Sequence, residues 1–306
     1  MNIAIYTVSA LLIPFLLIGF VQKMKAQFQN RIGAPLLQPV FNIFKLFGKN
    51  QIISEDASGL FRAGILINFC CFAFLIWSVP WLNFSPAITN VDIFFFVYLL
   101  ATARFFSILS ALDTGSPFGA FAGSREATIS FLVEPAVILC LLALSILAGS
   151  SNMERIFSFV SQTQFHNPIV WIFSGIGLFI VALIDLSRMP IDDPTTHLEL
   201  TMVHEAMTIE ASGRNLALSE ISYAFKLAIT FGLACQCLLH GIYFWLPNNQ
   251  WIIFALSIVG MFALGLLLAV LETVLVKLKW TKCPDFIAYA LTMGLFACIA
   301  ALGVRA

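Results

Sequence analysis

Eight separate runs of roughly twenty apolar residues dominate the sequence, and a helix needs about that many to cross a bilayer core. They lie near 2–21, 62–82, 91–112, 128–149, 168–187, 219–246, 251–276 and 286–304. Composition supports the reading: 60% of the 306 residues are hydrophobic and 10% are charged. A soluble globule of this size needs a larger charged share to cover its surface, and a disordered chain needs far more polarity. The expected fold is all-α: a single polytopic membrane domain over 1–306, with eight transmembrane helices and no visible internal repeat. The first run has no basic residues ahead of it. Lys23 and Lys25 follow it, so it reads as a retained span rather than a cleaved leader.

Basic residues orient the bundle. The loops after spans one, three, five and seven carry Lys23, Lys25, Arg31, Lys45, Lys49, Arg62, Arg125, Arg188, Arg214, Lys277, Lys279 and Lys282. The opposite side has Arg155 and Arg305. Twelve against two places the odd-numbered loops in the cytoplasm and both termini outside. Formal net charge is zero, so the basic excess of a nucleic-acid partner is missing. Within the long first loop, Leu37, Val40, Phe41, Phe44 and Phe47 recur at helical spacing, the pattern of an amphipathic helix lying in the membrane interface. The lipid bilayer is thus the first expected partner.

Charge inside a membrane is costly, so each ionisable residue there is a functional candidate. Arg104, Asp113, Glu126, Glu134, Asp185, Glu220, Lys226 and Glu272 lie in spans or at their inner ends, gathered toward the cytoplasmic half. Glu126, Ser130 and Glu134 follow i, i+4, i+8 spacing and form one stripe. Pro135 withholds an N–H from the carbonyl of Phe131, leaving an acceptor beside Glu134. This arrangement reads as a proton relay in a cavity open to the inside, whose exit lies sideways in another subunit. The competing structural reading pairs Glu134 with Lys226 or Arg104, and Asp185 with Arg188 three residues on.

The fifth loop is the most polar stretch. Asp193 and Pro194 can start a short helix and Gly213 can end it, carrying Glu199, His204, Glu205 and Glu210, with His197 near its first turn. His197 and His204 are about 10 Å apart along such a helix, too far to share one metal ion. Thr208 stands where a zinc-protease motif needs its second histidine. The seven cysteines form no CxxC pair and read as free thiols, so no metal site is expected in this chain.

Several segments together resemble a known family. They are Asn30-Arg-Ile-Gly-Ala-Pro35, Glu55-Asp-Ala-Ser-Gly59, Ala103-Arg-Phe-Phe106, Leu112-Asp-Thr-Gly-Ser-Pro117, Gly123-Ser-Arg-Glu126 and Val133-Glu-Pro135, followed by the fifth loop. The chain resembles the subunit 1 family of respiratory complex I and the membrane-bound, energy-converting hydrogenases, nearest the hydrogenase-4 and formate hydrogenlyase branch. The resemblance implies a non-catalytic membrane anchor and coupling subunit of a redox-driven ion pump in a bacterial or archaeal cytoplasmic membrane. Its implied partners are soluble large and small hydrogenase-like subunits on the cytoplasmic face and antiporter-like membrane subunits beside it. Iron–sulfur clusters, and a nickel–iron site in hydrogenases, belong to those partners, and this chain carries no cofactor. The resemblance matches Glu134 to the family's buried acid in span four and Glu199 and Glu210 to acids of its fifth loop; with the residues read above from the sequence, the expected proton path combines Glu134, Glu126, Asp113, Asp185, Glu199, Glu205, Glu210, Glu220, Lys226 and Glu272. The resemblance puts Arg31, in the first-loop motif, beside the junction with the redox arm, and the expected junction set is Asn30, Arg31, Gly33, Arg104, Arg125, His197, His204 and Arg214.

Quinone-reducing members commonly carry Pro-Phe-Asp before an acid-rich run. Here Pro190-Ile-Asp-Asp-Pro-Thr-Thr-His-Leu-Glu199 stands instead, which weighs against the alternative of a quinone-site subunit. A self-contained secondary transporter fits less well, because repeated halves with helices broken at midplane are missing.

Overall fold

The computed structural model describes residues 2–54, 56–82, 91–159, 167–192, 203–242, 250–276, 278 and 280–305. The described elements are α1 (Asn2–Phe28), α2 (Gln38–Phe47), α3 (Gly59–Ser78), α4 (Ile93–Asp113), α5 (Pro117–Ala148), α6 (Met153–Phe159), α7 (Pro168–Asp185), α8 (His204–Met207), α9 (Gly213–Gly241), α10 (Gln250–Val274) and α11 (Cys283–Arg305). A 3₁₀ turn, Trp280–Lys282, precedes the last helix. Eight of these, α1, α3, α4, α5, α7, α9, α10 and α11, are long and apolar enough to cross a membrane.

Local chemistry sets the helix ends. Ser58 caps α3 by accepting from the Leu60 amide. Asn167 does the same for α7 at the Ile169 amide, and Pro168 occupies the first helical position, where a missing N–H costs nothing. α5 starts on Pro117 and ends at Gly149, whose φ of 69° is the left-handed cap geometry. At 32 residues α5 is about 48 Å long, well beyond a ~30 Å bilayer core. Its start is earlier than the expected span at 128, so Glu126 sits inside the helix and is buried.

α9 is the centre of the bundle. Of its most apolar window 78% is buried, against 33% for α10 and α11. It approaches the Trp81 segment closely: a Cβ on Gly232 would lie 2.7 Å from Trp81 Cβ. Trp81 Nε1 donates to the Ile76 carbonyl, and the single Tyr6 hydroxyl proton lies between the Val79 carbonyl at 2.6 Å and the Ile76 carbonyl at 2.9 Å, so side chains from α1 and the following segment supply donors to the end of α3. The expected interfacial helix is present as α2. None of its residues is fully buried, and Phe41 and Phe44 are 58% and 72% exposed.

Two expectations about the loops need correction. Gly213 does not end a helix: it begins α9, with a φ of 52° and a virtual Cβ 2.8 Å from the Asn50 carbonyl oxygen. Its open side is filled by the first loop rather than by solvent. The Ile52 amide donates to Ser212 Oγ, which donates back to the Ile52 carbonyl, and Gln51 Nε2 donates to Asn215 Oδ1. The fifth-loop helix is one turn, His204–Met207, in its described part. Residues 193–202 of the predicted helix, with His197 and Glu199, lie outside the described residues, and residues 208–212, with Glu210, form a turn and an extended stretch instead of continuing the helix. The first, fifth and seventh loops meet at one end of the bundle, where the Leu278 amide also donates to the Pro190 carbonyl.

Candidate functional site

At this loop-rich end, charged residues from six helices and the fifth loop converge. Asp185, the last residue of α7, is the hub of the deeper group. Its Oδ1 lies 2.8 Å from Arg104 Nη2 of α4 and 3.2 Å from Lys226 Nζ of α9. Lys226 also donates to the Asp185 backbone carbonyl at 2.6 Å. Arg104 reaches onward through Nη1 to Glu134 Oε1 of α5 at 3.3 Å. Arg104 therefore belongs to the interior and not to a surface junction. It is the counter-charge of Glu134. The expected Asp185–Arg188 pair is absent, because α7 stops at Asp185 and Ser187 takes a positive φ of 48°, turning Arg188 away.

Arg188 joins a second group. Its Nη1 is 3.1 Å from Glu272 Oε1 of α10, and its Nε donates to Tyr223 Oη of α9 at 2.6 Å. Glu272 Oε2 lies 3.1 Å from Lys25 Nζ of α1. Burial alone would lower the affinity of the Arg188 guanidinium for its proton; Tyr223 and Glu272 outweigh it and hold the group above its ordinary value, so it stays charged. This group faces a cavity of about 470 Å³, which Arg31, Glu205, Glu220 and Asp192 also line.

His204 and Tyr223 form the wall between the two groups, with ring centroids 5.2 Å apart. Both line the large cavity and also a small inner chamber of about 40 Å³ shared with Glu126, Arg104, Lys226 and Asn68. The chamber exceeds the ~10–15 Å³ that one water needs, and the buried Asn68 Oδ1 and Arg104 Nε offer it polar partners. Burial pushes the His204 imidazole down to about 4, and the Lys226 and Arg188 charges add to the effect. At neutral pH it is a neutral ring able to accept on one nitrogen and donate from the other.

The run ends sideways. The Glu134 side chain is 36% exposed and lines a groove of about 210 Å³ between α4 and α5, among Ile93, Val97, Tyr98 and Ile138. Ser130 and Glu126 of the same stripe face inward and are buried.

Other predicted residues lie apart from this run. Asp113 accepts from the Ser58 amide at 2.9 Å, from Ser58 Oγ at 2.7 Å and from the Phe61 amide at 2.9 Å. It closes the start of α3, a structural task. Asp113→Ala is expected to cost about 1–2 kcal/mol, as for a lost helix cap, and to speed hydrogen exchange at Phe61. Unchanged exchange there would refute this role. Glu210, Arg214 and Asn30 are exposed at the surface; Arg31 is exposed too, at the mouth of the 470 Å³ cavity that it lines. Gly33 packs on α1, where a Cβ would meet Ala26 Cβ at 2.9 Å. Arg125 lies over the rings of Phe121 and Trp280, at 4.4 and 5.5 Å. Tyr223, Lys25, Arg188 and Asn68 are members of the site that sequence reasoning does not select. One signal is available: Glu220, Tyr223 and Lys226 follow i, i+3, i+6 spacing on one helix face. Among the described residues no three His, Cys, Asp or Glu side chains gather as metal ligands.

Comparison with known proteins places this arrangement in a family. The family described as NADH dehydrogenase matches residues 1–302. The chain belongs to that family. It is 30% identical to hydrogenase-4 component C of Escherichia coli K12 over 224 residues, 73% of this chain and 70% of the relative. It is 30% identical to formate hydrogenlyase subunit 4 of the same organism over 213 residues, 69% and 68% of the two chains. An NADH-quinone oxidoreductase subunit of Geobacillus thermodenitrificans is 24% identical over 273 residues, 82% of this chain and 80% of that one. A chain of the membrane-bound sulfane sulfur reductase, an archaeal respiratory membrane complex, shares the fold: TM-score 0.79 at 18% identity, with 96% of each chain covered. For this NADH dehydrogenase family member, the two hydrogenase-type relatives align at higher identity than the quinone-reductase relative does.

Proposed function

We propose that this member of the NADH dehydrogenase family is the membrane anchor and coupling subunit of a redox-driven ion-translocating complex of the hydrogenase type. The single observation that carries the reading is the continuity of the polar run. It leads from the 470 Å³ cavity among the loops, through His204 and Tyr223, past Glu126 and Lys226, to Asp185, Arg104 and the laterally open Glu134. Ionisable groups buried in a bilayer are retained where they serve a path. A carboxylate opening to one flank needs a neighbour there, which fits an antiporter-like membrane subunit.

The joined first, fifth and seventh loops offer the platform for a soluble arm that carries iron–sulfur clusters, with or without a nickel–iron site. Reduction or oxidation in that arm alters charge beside the cavity, and the ion pairs that share Asp185 and Glu272 re-partition in response. Coupling of this kind requires two states with different affinities for the ion. In the orientation set by the basic loops, the platform faces the cytoplasm and both termini lie outside a bacterial or archaeal cytoplasmic membrane. The 470 Å³ cavity is ringed by Lys25, Arg31, Arg188, Glu205, Glu220 and Glu272. Such a lining suits water and protons better than a quinone ring.

The test uses the intact complex in inverted membrane vesicles. Glu134→Gln is expected to cut redox-driven ion uptake by about tenfold or more, the scale of removing a positioned proton carrier, while assembly is retained. Unchanged uptake per assembled complex would overturn the assignment.

A further inference from the structure

α3 carries a single amide in an otherwise apolar stretch: between Ile65 and Trp77, Asn68 is the one residue with a hydroxyl, amide or charged side chain. A polar side chain is costly inside a bilayer and usually hydrogen-bonds a neighbouring helix. Asn68 Oδ1 is instead buried with no hydrogen-bond partner among the described residues. Arg104 Nε is in the same condition, although the terminal nitrogens of Arg104 hold Asp185 and Glu134. Both residues line the 40 Å³ inner chamber, as do Glu126 and His204.

A bare acceptor and a bare donor around so small a polar space fit an ordered water, with its two lone pairs and two hydrogens. Arg104 Nε uses one lone pair, and Asn68 Oδ1 takes one hydrogen. One lone pair and one hydrogen remain. The lone pair suits an N–H of His204, and the hydrogen suits the Glu126 carboxylate. Tyr223, the other ring of the wall, is engaged on the far side. Its hydroxyl accepts from Arg188 Nε at 2.6 Å and points its proton at the Leu186 carbonyl, 3.5 Å away. Both of those partners line the large cavity.

We propose that Asn68 is a positioning residue: with Arg104 it pins a chamber water in the orientation that passes protons from His204 to Glu126. The proposal deepens the coupling reading above and rests on it. His204 accepts a proton from the large cavity on one ring nitrogen and releases one from the other to the water. The water gives one of its own hydrogens, as a proton, to the Glu126 carboxylate. Ring and water end neutral, and one proton has crossed the wall. A ring flip then restores the first tautomer.

The test combines two measurements on the whole complex: X-ray hydroxyl-radical footprinting, which oxidises side chains beside bound water, and redox-driven uptake in inverted vesicles. Met207 lines the inner chamber and is 6% exposed; Met261 is fully buried and lines neither chamber nor cavity. In the wild type, Met207 should be labelled well above Met261. Asn68→Leu, similar in volume, should drop Met207 to the Met261 level and cut uptake by about tenfold or more. Asn68→Ser, whose hydroxyl leaves space for water, should recover most of both losses. An unlabelled Met207 in the wild type, a label that persists in Asn68→Leu, or a lost label with uptake unchanged overturns the proposal. So does Asn68→Ser failing as completely as Asn68→Leu. If Glu134→Gln lowers uptake and Asn68→Leu does not, the hand-off fails and the coupling reading stands. The reverse result rejects the lateral exit and keeps the hand-off.

Discussion

Asp185→Ala is expected to be the most damaging single substitution in the molecule, costing about 3–5 kcal/mol, the range for stripping one partner from a buried ion pair. The Asp185 side chain is 3% exposed, and the two cations it serves, Arg104 and Lys226, are 5% and 8% exposed. Without it, two buried positive groups face each other with only the small inner chamber beside them, too little water to replace a carboxylate. Glu134 does not substitute, because its side chain is 36% exposed at the flank and Arg104 is its one ion-pair partner among the described residues. A typical domain has only about 5–15 kcal/mol in hand, so the variant should be depleted from membranes and melt early in detergent. Asp185→Ala/Lys226→Met should be more stable than Asp185→Ala, because one stranded charge goes with its partner. An unchanged melting temperature, or a double variant less stable than the single one, would contradict the hub role.

Glu272→Ala comes second, at about 2–3 kcal/mol, toward the lower end of the same range. Glu272 is fully buried, yet its partners Lys25 and Arg188 are 15% and 12% exposed and border the large cavity. Water there relieves part of the repulsion left behind. Melting of the purified protein at low and high salt distinguishes this case from Asp185. Added salt should recover part of the loss in Glu272→Ala, since ions reach the cavity, and little of it in Asp185→Ala. Equal salt dependence in both variants would show that the two groups do not differ in solvent access.

The eight spans are legible in the sequence because the bilayer imposes a simple length and polarity rule, and the helices match the apolar runs to within a few residues at most ends. The clearest exception is α5, which begins at Pro117, about eleven residues before the apolar run does. Nothing in the hydropathy marks that extension, since polar residues such as Ser124 and Arg125 interrupt it. The set of buried ionisable residues is also legible. Their partners are not. Asp185 and Arg188 stand at helical spacing in sequence, but the chain leaves the helix between them at Ser187. Asp113 looks the same as Asp185 in the sequence, one acid at the inner end of a span. Only the packing of α3 beside α4 shows that it binds backbone amides. Gly213 reads as a helix stop, since a left-handed glycine often marks one. The same geometry serves a helix start when another loop presses on it.

The sequence by itself determined that this chain is an eight-span helical membrane protein, which end carries its long basic loops, and which costly charges lie within it. Those follow from local hydrophobicity and one-dimensional charge counts, to which the bilayer responds directly. The tertiary structure alone decided that Arg104 and Lys226 share Asp185, that Glu272 holds Lys25 and Arg188, that His204 and Tyr223 separate two chambers, and that Glu134 opens to the flank. Each of these depends on how helices distant in sequence rotate and cross. Those rotations are set by the sum of many weak packing contacts, which no local pattern encodes.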